Sequence, residues 1–289
     1  MLHISDIEKR LKENPEPKEV TEIREHILNT FNKLEFVEEG HKYFLPQSDG
    51  TKEELISVSK MVDQFSIEKD WDAQAAISAL KRGITKEEMQ RQWHENNIRA
   101  TNCGTGVHRF GEMYQYFFMG QPELIDDITK PQYEDGYLIP HSPKESAAAQ
   151  FYEDLHNTRN IWPVLAETRV YMGINDKFPI KQKYAGTFDM LFAFKANDGK
   201  YKLLIYDFKT NASLTNGYVR DIGQMMLFPF DQYYDESYSH YIVQLSAYEL
   251  ALRQLDFEIA DRKLIWLKDD ATYEKISLPS VSDVLAKTL

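Results

Sequence analysis

Residues 186–209, Gly-Thr-Phe-Asp-Met-Leu-Phe-Ala-Phe-Lys-Ala-Asn-Asp-Gly-Lys-Tyr-Lys-Leu-Leu-Ile-Tyr-Asp-Phe-Lys, decide how this chain is read. Gly186-Thr187-Phe188-Asp189 opens one apolar stretch, and Asp207-Phe208-Lys209 closes the next, Lys202 to Tyr206. On paired strands these segments place two carboxylates and an ammonium at one edge of a sheet. Strand side chains alternate faces, so Asp207 and Lys209 project together, Phe208 goes to the other side, and Asp189 meets the pair from the neighbouring strand. Two hard oxygen ligands beside a lysine suit Mg²⁺-assisted attack of water on a phosphodiester.

An acid-x-lysine triplet is common by composition alone, and its neighbours decide its meaning. Glu16-Pro17-Lys18 lies in a Pro-rich polar stretch unfit for a central strand, and Asp261-Arg262-Lys263 precedes its apolar run instead of ending one. Only Asp207-Phe208-Lys209 has the right surroundings. The simpler alternative is an ordinary ion pair at a strand end.

Three further segments weigh against that alternative. Trp162 to Tyr171 reads as a β-rich run with Glu167 at its middle, in phase with Leu165 and Arg169, either as a site carboxylate or paired with Arg169 on an exposed face. Tyr241 to Leu255 has helical periodicity, with Gln244 and Tyr248 one turn apart on a face shared with Leu245, Leu252 and Leu255. Gly104-Thr105-Gly106-Val107-His108 reads as the entrance to an aromatic-rich helix. Its glycines would allow close approach to the sheet, and His108 at its start would offer an imidazole nitrogen to a divalent metal. No Gly-Lys-Ser/Thr follows, which excludes a nucleoside triphosphate loop.

His108, Glu167, Gly186-Thr187-Phe188-Asp189, Asp207-Phe208-Lys209 and Gln244-x-x-x-Tyr248, in that order, resemble the RecB-type branch of the PD-(D/E)XK nuclease superfamily, over roughly residues 100 to 270. Glu39-Gly40-His41-Lys42-Tyr43 with Ser57-Val58-Ser59-Lys60 more weakly resembles phage-encoded members; the mitochondrial genome maintenance exonuclease belongs to the same branch. The resemblance implies a restriction-endonuclease-like αβββαβ core. It implies His108, Asp189, Asp207 and the Phe208 backbone carbonyl as ligands of Mg²⁺ or Mn²⁺, with Glu167 at or beside the metal. Lys209 would act on the attacking water and the phosphate, and Gln244 and Tyr248 would hold Lys209 and the substrate backbone. Arg169, Lys181 and Lys183 are the expected DNA contacts. Some relatives carry a four-cysteine iron-sulfur cluster, which a chain with Cys103 alone cannot form.

That lone cysteine excludes an intrachain disulfide and fits a reducing cytosol, which the resemblance implies is bacterial or that of a phage-infected host. Met1 to Val20 carries neither a secretory nor a transit pattern, and no apolar run reaches membrane-spanning length. A net charge of −12 argues against a protein that coats nucleic acid through a broad basic surface. Between Glu167 and Thr210, eight Lys or Arg face five Asp or Glu, predicting a basic collar of Lys177, Lys181, Lys183, Lys195, Lys200 and Lys202 around an acidic centre.

The expected organisation is a mixed α/β chain. Residues 1–100 form a helical elaboration with a β-hairpin at 35–50, and residues 101–289 form the core. Helices are expected across 58–118 and 144–157, a long loop from Gly120 to Ser142, and an exposed loop at Asp231 to Glu236. The expected function is a metal-dependent DNA exonuclease acting on single-stranded ends in replication, recombination or repair. The alternatives are a structure-specific or restriction-like endonuclease, and a binding module without catalysis.

Overall fold

The computed structural model describes residues 1–122, 133–173, 175 and 177–289. Helices α1 (Ile4–Glu13) and α2 (Lys18–Phe31) flank the Asn14-Pro15-Glu16-Pro17 break. Strands β1 (Glu35–Val37), β2 (Lys42–Pro46) and β3 (Lys52–Ser57) form an antiparallel meander. The expected hairpin over 35–50 is therefore corrected to three strands, because the Ser48-Asp49-Gly50 turn joins the second to the third. Helices α3 (Val58–Asp63), α4 (Trp71–Arg82) and α5 (Lys86–Phe118) follow, then a two-stranded ribbon of β4 (Tyr133–Glu134) and β5 (Tyr137–Leu138). Residues 123–132 of the expected Gly120–Ser142 loop lie outside the described residues.

Helix α6 (Pro143–His156) leads into β6 (Ile161–Met172), β7 (Tyr184–Lys195) and β8 (Tyr201–Lys209). The short α7 (Gly217–Asp221), then α8 (Ser237–Arg253), β9 (Ile259–Leu267), β10 (Tyr273–Ser277) and α9 (Ser282–Thr288) complete the chain. The strands form one mixed sheet in the order β1-β2-β3-β7-β8-β9-β10, with β6 also paired to β7. Helix α5 is continuous across residue 100, and β3, from the first hundred residues, pairs with β7.

Alternation along the strands divides two cores. Met190, Phe192, Leu204, Tyr206 and Phe208 face α5 and α6, against Val107, Phe110, Phe151 and Tyr152. Leu191, Ala193, Leu203 and Ile205 face the other way, against Leu245, Leu252 and their neighbours on α8. Each fully buried large apolar side chain contributes about 1.5–3 kcal/mol, so the register that separates these faces is strongly specified.

Strand β7 explains where the sheet opens. Antiparallel β6 runs along one of its edges for its whole length. The other edge is divided: parallel β3 occupies Tyr184 and Ala185, and antiparallel β8 occupies Met190 to Lys195. Residues 186–189 lie in the gap between them, and β8 leaves β7 after Tyr206 while remaining paired with β9 as far as Lys209.

The segment expected to be an exposed loop, Asp231 to Glu236, is exposed only in part. Asp235 and Glu236 are buried. Asp235 accepts from the Ile67 N–H at 3.1 Å, Gln224 at 3.0 Å and His240 at 2.7 Å, and Glu236 pairs with Arg220 at 2.7 Å. Buried carboxylates persist only where donors surround them, and these pin the loop before α8 to the α3–α4 connection.

Candidate metal centre

Asp189 and Asp207 stand where β7 and β8 part. The Phe208 N–H, no longer opposite a β7 partner, donates instead to Asp189 Oδ2 at 2.7 Å. The Phe208 ring fills the opposite face, so the predicted alternation across Asp207-Phe208-Lys209 holds. Lys209 Nζ lies 2.5 Å from Asp207 Oδ2 and 4.5 Å from the centre of the Tyr241 ring.

Helix α5 brings His108. The helix start expected at His108 is corrected: the N-cap is Thr85, whose hydroxyl accepts from the Glu88 N–H, and His108 lies well inside α5. The glycines at 104 and 106 are overridden by a buried face, Val107, Phe110, Met113, Tyr114 and Phe117, at helical spacing. Close approach to the sheet comes from Gly111. A Cβ there would lie 2.5 Å from Phe208 Cε2, whereas one at Gly104 or Gly106 meets nothing nearer than 3.7 Å.

His108 Nδ1 is 3.1 Å from Asp189 Oδ2 and 3.5 Å from Glu167 Oε1. The ligand atoms of these three residues all lie within 4.8 Å of one another. Glu167 thus turns to His108, and Arg169 stacks on Phe36 at 4.9 Å in place of an ion pair with it. The Glu167 backbone has φ +42°, a left-handed conformation inside a strand that costs on the order of 1–3 kcal/mol. Asp207, buried at 1% exposure and drawn to Lys209, adjoins this triad without being part of it.

Other expected residues are placed differently. Gln244 donates to the Tyr248 hydroxyl at 3.3 Å, and the Tyr248 ring packs where a Cβ on Gly186 would come within 2.8 Å. The contacts of Lys209 are Asp207 and Tyr241, so Tyr241, one turn before Gln244, is the residue the sequence reading missed. Glu112 and Tyr116 were missed too, although they follow His108 at i+4 and i+8; Tyr116 donates to Glu112 at 3.2 Å. The basic collar is not formed. Lys195, Lys200 and Lys202 belong to the far, hairpin end of β7 and β8, about 20 Å from Asp189 at the rise of a strand. Lys177 pairs with Asp256, Lys202 with Glu258, and Lys183 with Glu53 at 2.6 Å; Lys181 is exposed.

Burial and like charge shape the titration. Burial pushes Glu167 up to about 7, with Asp189 adding to the effect against His108, and burial with Asp189 pushes Asp207 up to about 6. Burial opposes charge on His108, yet Asp189 and Glu167 hold its pKa well above the ordinary imidazole value. Burial likewise opposes the Lys209 ammonium, and Asp207 and Asp189 outweigh it, so its pKa is raised. Asp189 moves the other way: burial raises it, but His108, Lys209 and the Phe208 N–H bring it below the usual carboxylate range.

One imidazole and two carboxylates, His108, Glu167 and Asp189, with buried Asp207 adjoining them, form a donor set that fits a hard divalent cation of the Mg²⁺ or Mn²⁺ type. Without a cation, burial and repulsion between the carboxylates raise Glu167 to about 7 and Asp207 to about 6. A divalent cation held by these groups would therefore release protons on binding. Below pH 6, Glu167 and Asp207 are largely protonated, so affinity should be low; it should climb between about pH 6 and 8 as these two carboxyls lose their protons, while His108, held above the ordinary imidazole value, still has a proton to give up. Calorimetry with Mn²⁺ in buffers of different ionisation enthalpy should show more protons released at pH 6.5 than at pH 8.5. A pH-independent affinity would contradict this assignment of the ligands.

No family model matches the chain, and no curated protein does. Among solved structures, "Crystal structure of SSO0001" aligns at 17% identity over 50% of this chain and 62% of that one, with a TM-score of 0.25. The alignment thus spans less than two thirds of that protein, and a likeness this slight bears no functional weight. Among the described residues, no helix is long and apolar enough to cross a membrane.

Proposed function

We propose that the chain is a Mg²⁺- or Mn²⁺-dependent deoxyribonuclease of the RecB-type branch of the PD-(D/E)XK superfamily, an exonuclease acting on single-stranded DNA ends in replication, recombination or repair. The observation that carries the reading is the meeting of Asp189, Asp207 and Lys209 with His108 and Glu167 where the β7 edge is left open. The succession α6, β6, β7, β8, α8, β9 supports it, since this is the αβββαβ order that the resemblance implies.

His108, Glu167, Asp189 and Asp207 would hold the cation, which when bound supplies Lewis acidity and a more acidic water. The chain's own groups then divide the work. Lys209, kept charged by Asp207 and Asp189, orients water and stabilises charge on the phosphate; a raised pKa suits this better than proton abstraction. Arg109 and Arg169, both exposed and without an ion-pair partner among the described residues, offer the positive charge that the lysine collar does not.

Incubation of matched linear and covalently closed single-stranded DNA with Mn²⁺ tests the reading. Linear DNA should disappear, closed circles should persist, and EDTA or Ca²⁺ should stop turnover. Equal loss of both substrates would make the enzyme an endonuclease, and full activity in EDTA would remove the metal assignment.

A further inference from the structure

Beside the candidate metal centre, α2, the C-terminal end of α5 and β6 line an open cavity of about 480 Å³, with Leu28, Phe31, Asn32, Tyr116, Met119 and Glu167 among its walls. We infer that this cavity seats the terminal nucleoside of the strand being cut, so that the adjoining phosphodiester lies over Glu167; the inference rests on the nuclease reading. The volume falls within the roughly 300–1,000 Å³ of small-molecule sites. The lining suits a base and sugar: Leu28, Phe31 and Met119 give apolar surface, and Tyr116 gives a ring on which a base of any sequence can stack. The Tyr116 hydroxyl is engaged by Glu112, which fixes the ring, and the Asn32 amide supplies both a donor and an acceptor for a base edge.

The charges distinguish floor from mouth. Arg24 lines the cavity, but its guanidinium is occupied by Glu16 at 2.9 and 2.5 Å and by the carbonyls of Val164 at 2.7 Å and Pro163 at 3.1 Å, so it shapes the wall and offers nothing to a ligand. Arg169 is different. It is exposed, has no ion-pair partner among the described residues, and stacks on Phe36, which leaves its N–H groups for a phosphate. Glu167 belongs to both cavity and metal cluster, so a nucleoside held in one has its phosphate at the other. A volume of about 480 Å³ holds one nucleoside and not a run of them, which suits the end of a strand.

The test uses the full chain and a single-stranded oligonucleotide carrying 2-aminopurine at a terminal or an internal position, bound in Ca²⁺. A terminal probe at one of the two ends should change its fluorescence at least fivefold more than the internal probe. Leu28→Trp and Asn32→Trp, both at exposed positions and each filling the cavity, should abolish that response. Persistence of the response in both filled variants, or its absence from the parent while the oligonucleotide is bound and is cut in Mn²⁺, would overturn the cavity assignment and leave the nuclease reading standing. An oligonucleotide neither bound nor cut would overturn both.

Discussion

Replacing Lys209 by alanine is expected to lower the rate of DNA cleavage by on the order of 10³-fold while Mn²⁺ binding persists, whereas Asp207→Asn is expected to lose both. The reason lies in what each side chain touches. Lys209 makes its close contacts with Asp207 and the Tyr241 ring, and not with the His108–Glu167–Asp189 triad, so its removal leaves the donor set in place. It also frees the Asp207 carboxylate from its ammonium. In the metal-free variant that buried carboxylate will take up a proton more readily, and a bound cation replaces the missing positive charge. Asp207→Asn removes the charge itself from a site almost closed to water. Calorimetry and single-turnover cleavage on the two variants separate these effects. Loss of Mn²⁺ binding in Lys209→Ala, or cleavage within tenfold of the parent, would refute the division of roles.

Gly111→Ala is expected to lower both stability and cleavage. Its Cβ would come within 2.5 Å of Phe208 Cε2 and 2.8 Å of Phe208 Cδ2, and the ring has little room to yield because Phe151 and Tyr152 pack against it. Tyr152 also donates to the Gly111 carbonyl at 3.1 Å, which holds α5 down from the other side. Overpacking of this kind costs about 1–3 kcal/mol. The displacement falls between His108, one turn earlier on α5, and Phe208, whose N–H holds Asp189. A shift there of about 1 Å would lower cleavage by on the order of 10²-fold. Gly104→Ala and Gly106→Ala are the controls. Both meet only ordinary contacts, and alanine should stabilise α5 by up to about 1 kcal/mol at each. Denaturant unfolding and cleavage rates of the three variants give the comparison, and equal behaviour would sink the close-approach argument.

How much of this was legible depended on the range of the interaction. Strands β6 to β8 and helices α6 and α8 are written in local periodicity, and the same-face relation of Asp207 and Lys209 follows from alternation within one strand. The open edge of β7 is not local. It arises because β3, some 130 residues earlier, takes the pairing positions at Tyr184 and Ala185. The misplaced lysine collar has the same origin: Lys195, Lys200 and Lys202 are close to Asp189 in sequence, but a hairpin carries them to the opposite end of the sheet. Glycine near His108 suggested a helix start because propensity is a local quantity. Burial of the face containing Val107 and Phe110 decided otherwise, and the one glycine required by packing was Gly111. Glu112 and Tyr116 could have been found by extending the His108 face two further turns, and Tyr241 by extending the Gln244 face one turn back.

The left-handed backbone at Glu167 separates two demands on one position. If folding were the only criterion, glycine would suit residue 167 better, since it takes φ +42° without steric strain and buries no carboxylate. A lineage drifting under selection for stability alone would move toward that replacement and grow more robust as it did so. The glutamate is the less foldable choice. Its presence is the mark of a criterion other than persistence of the fold.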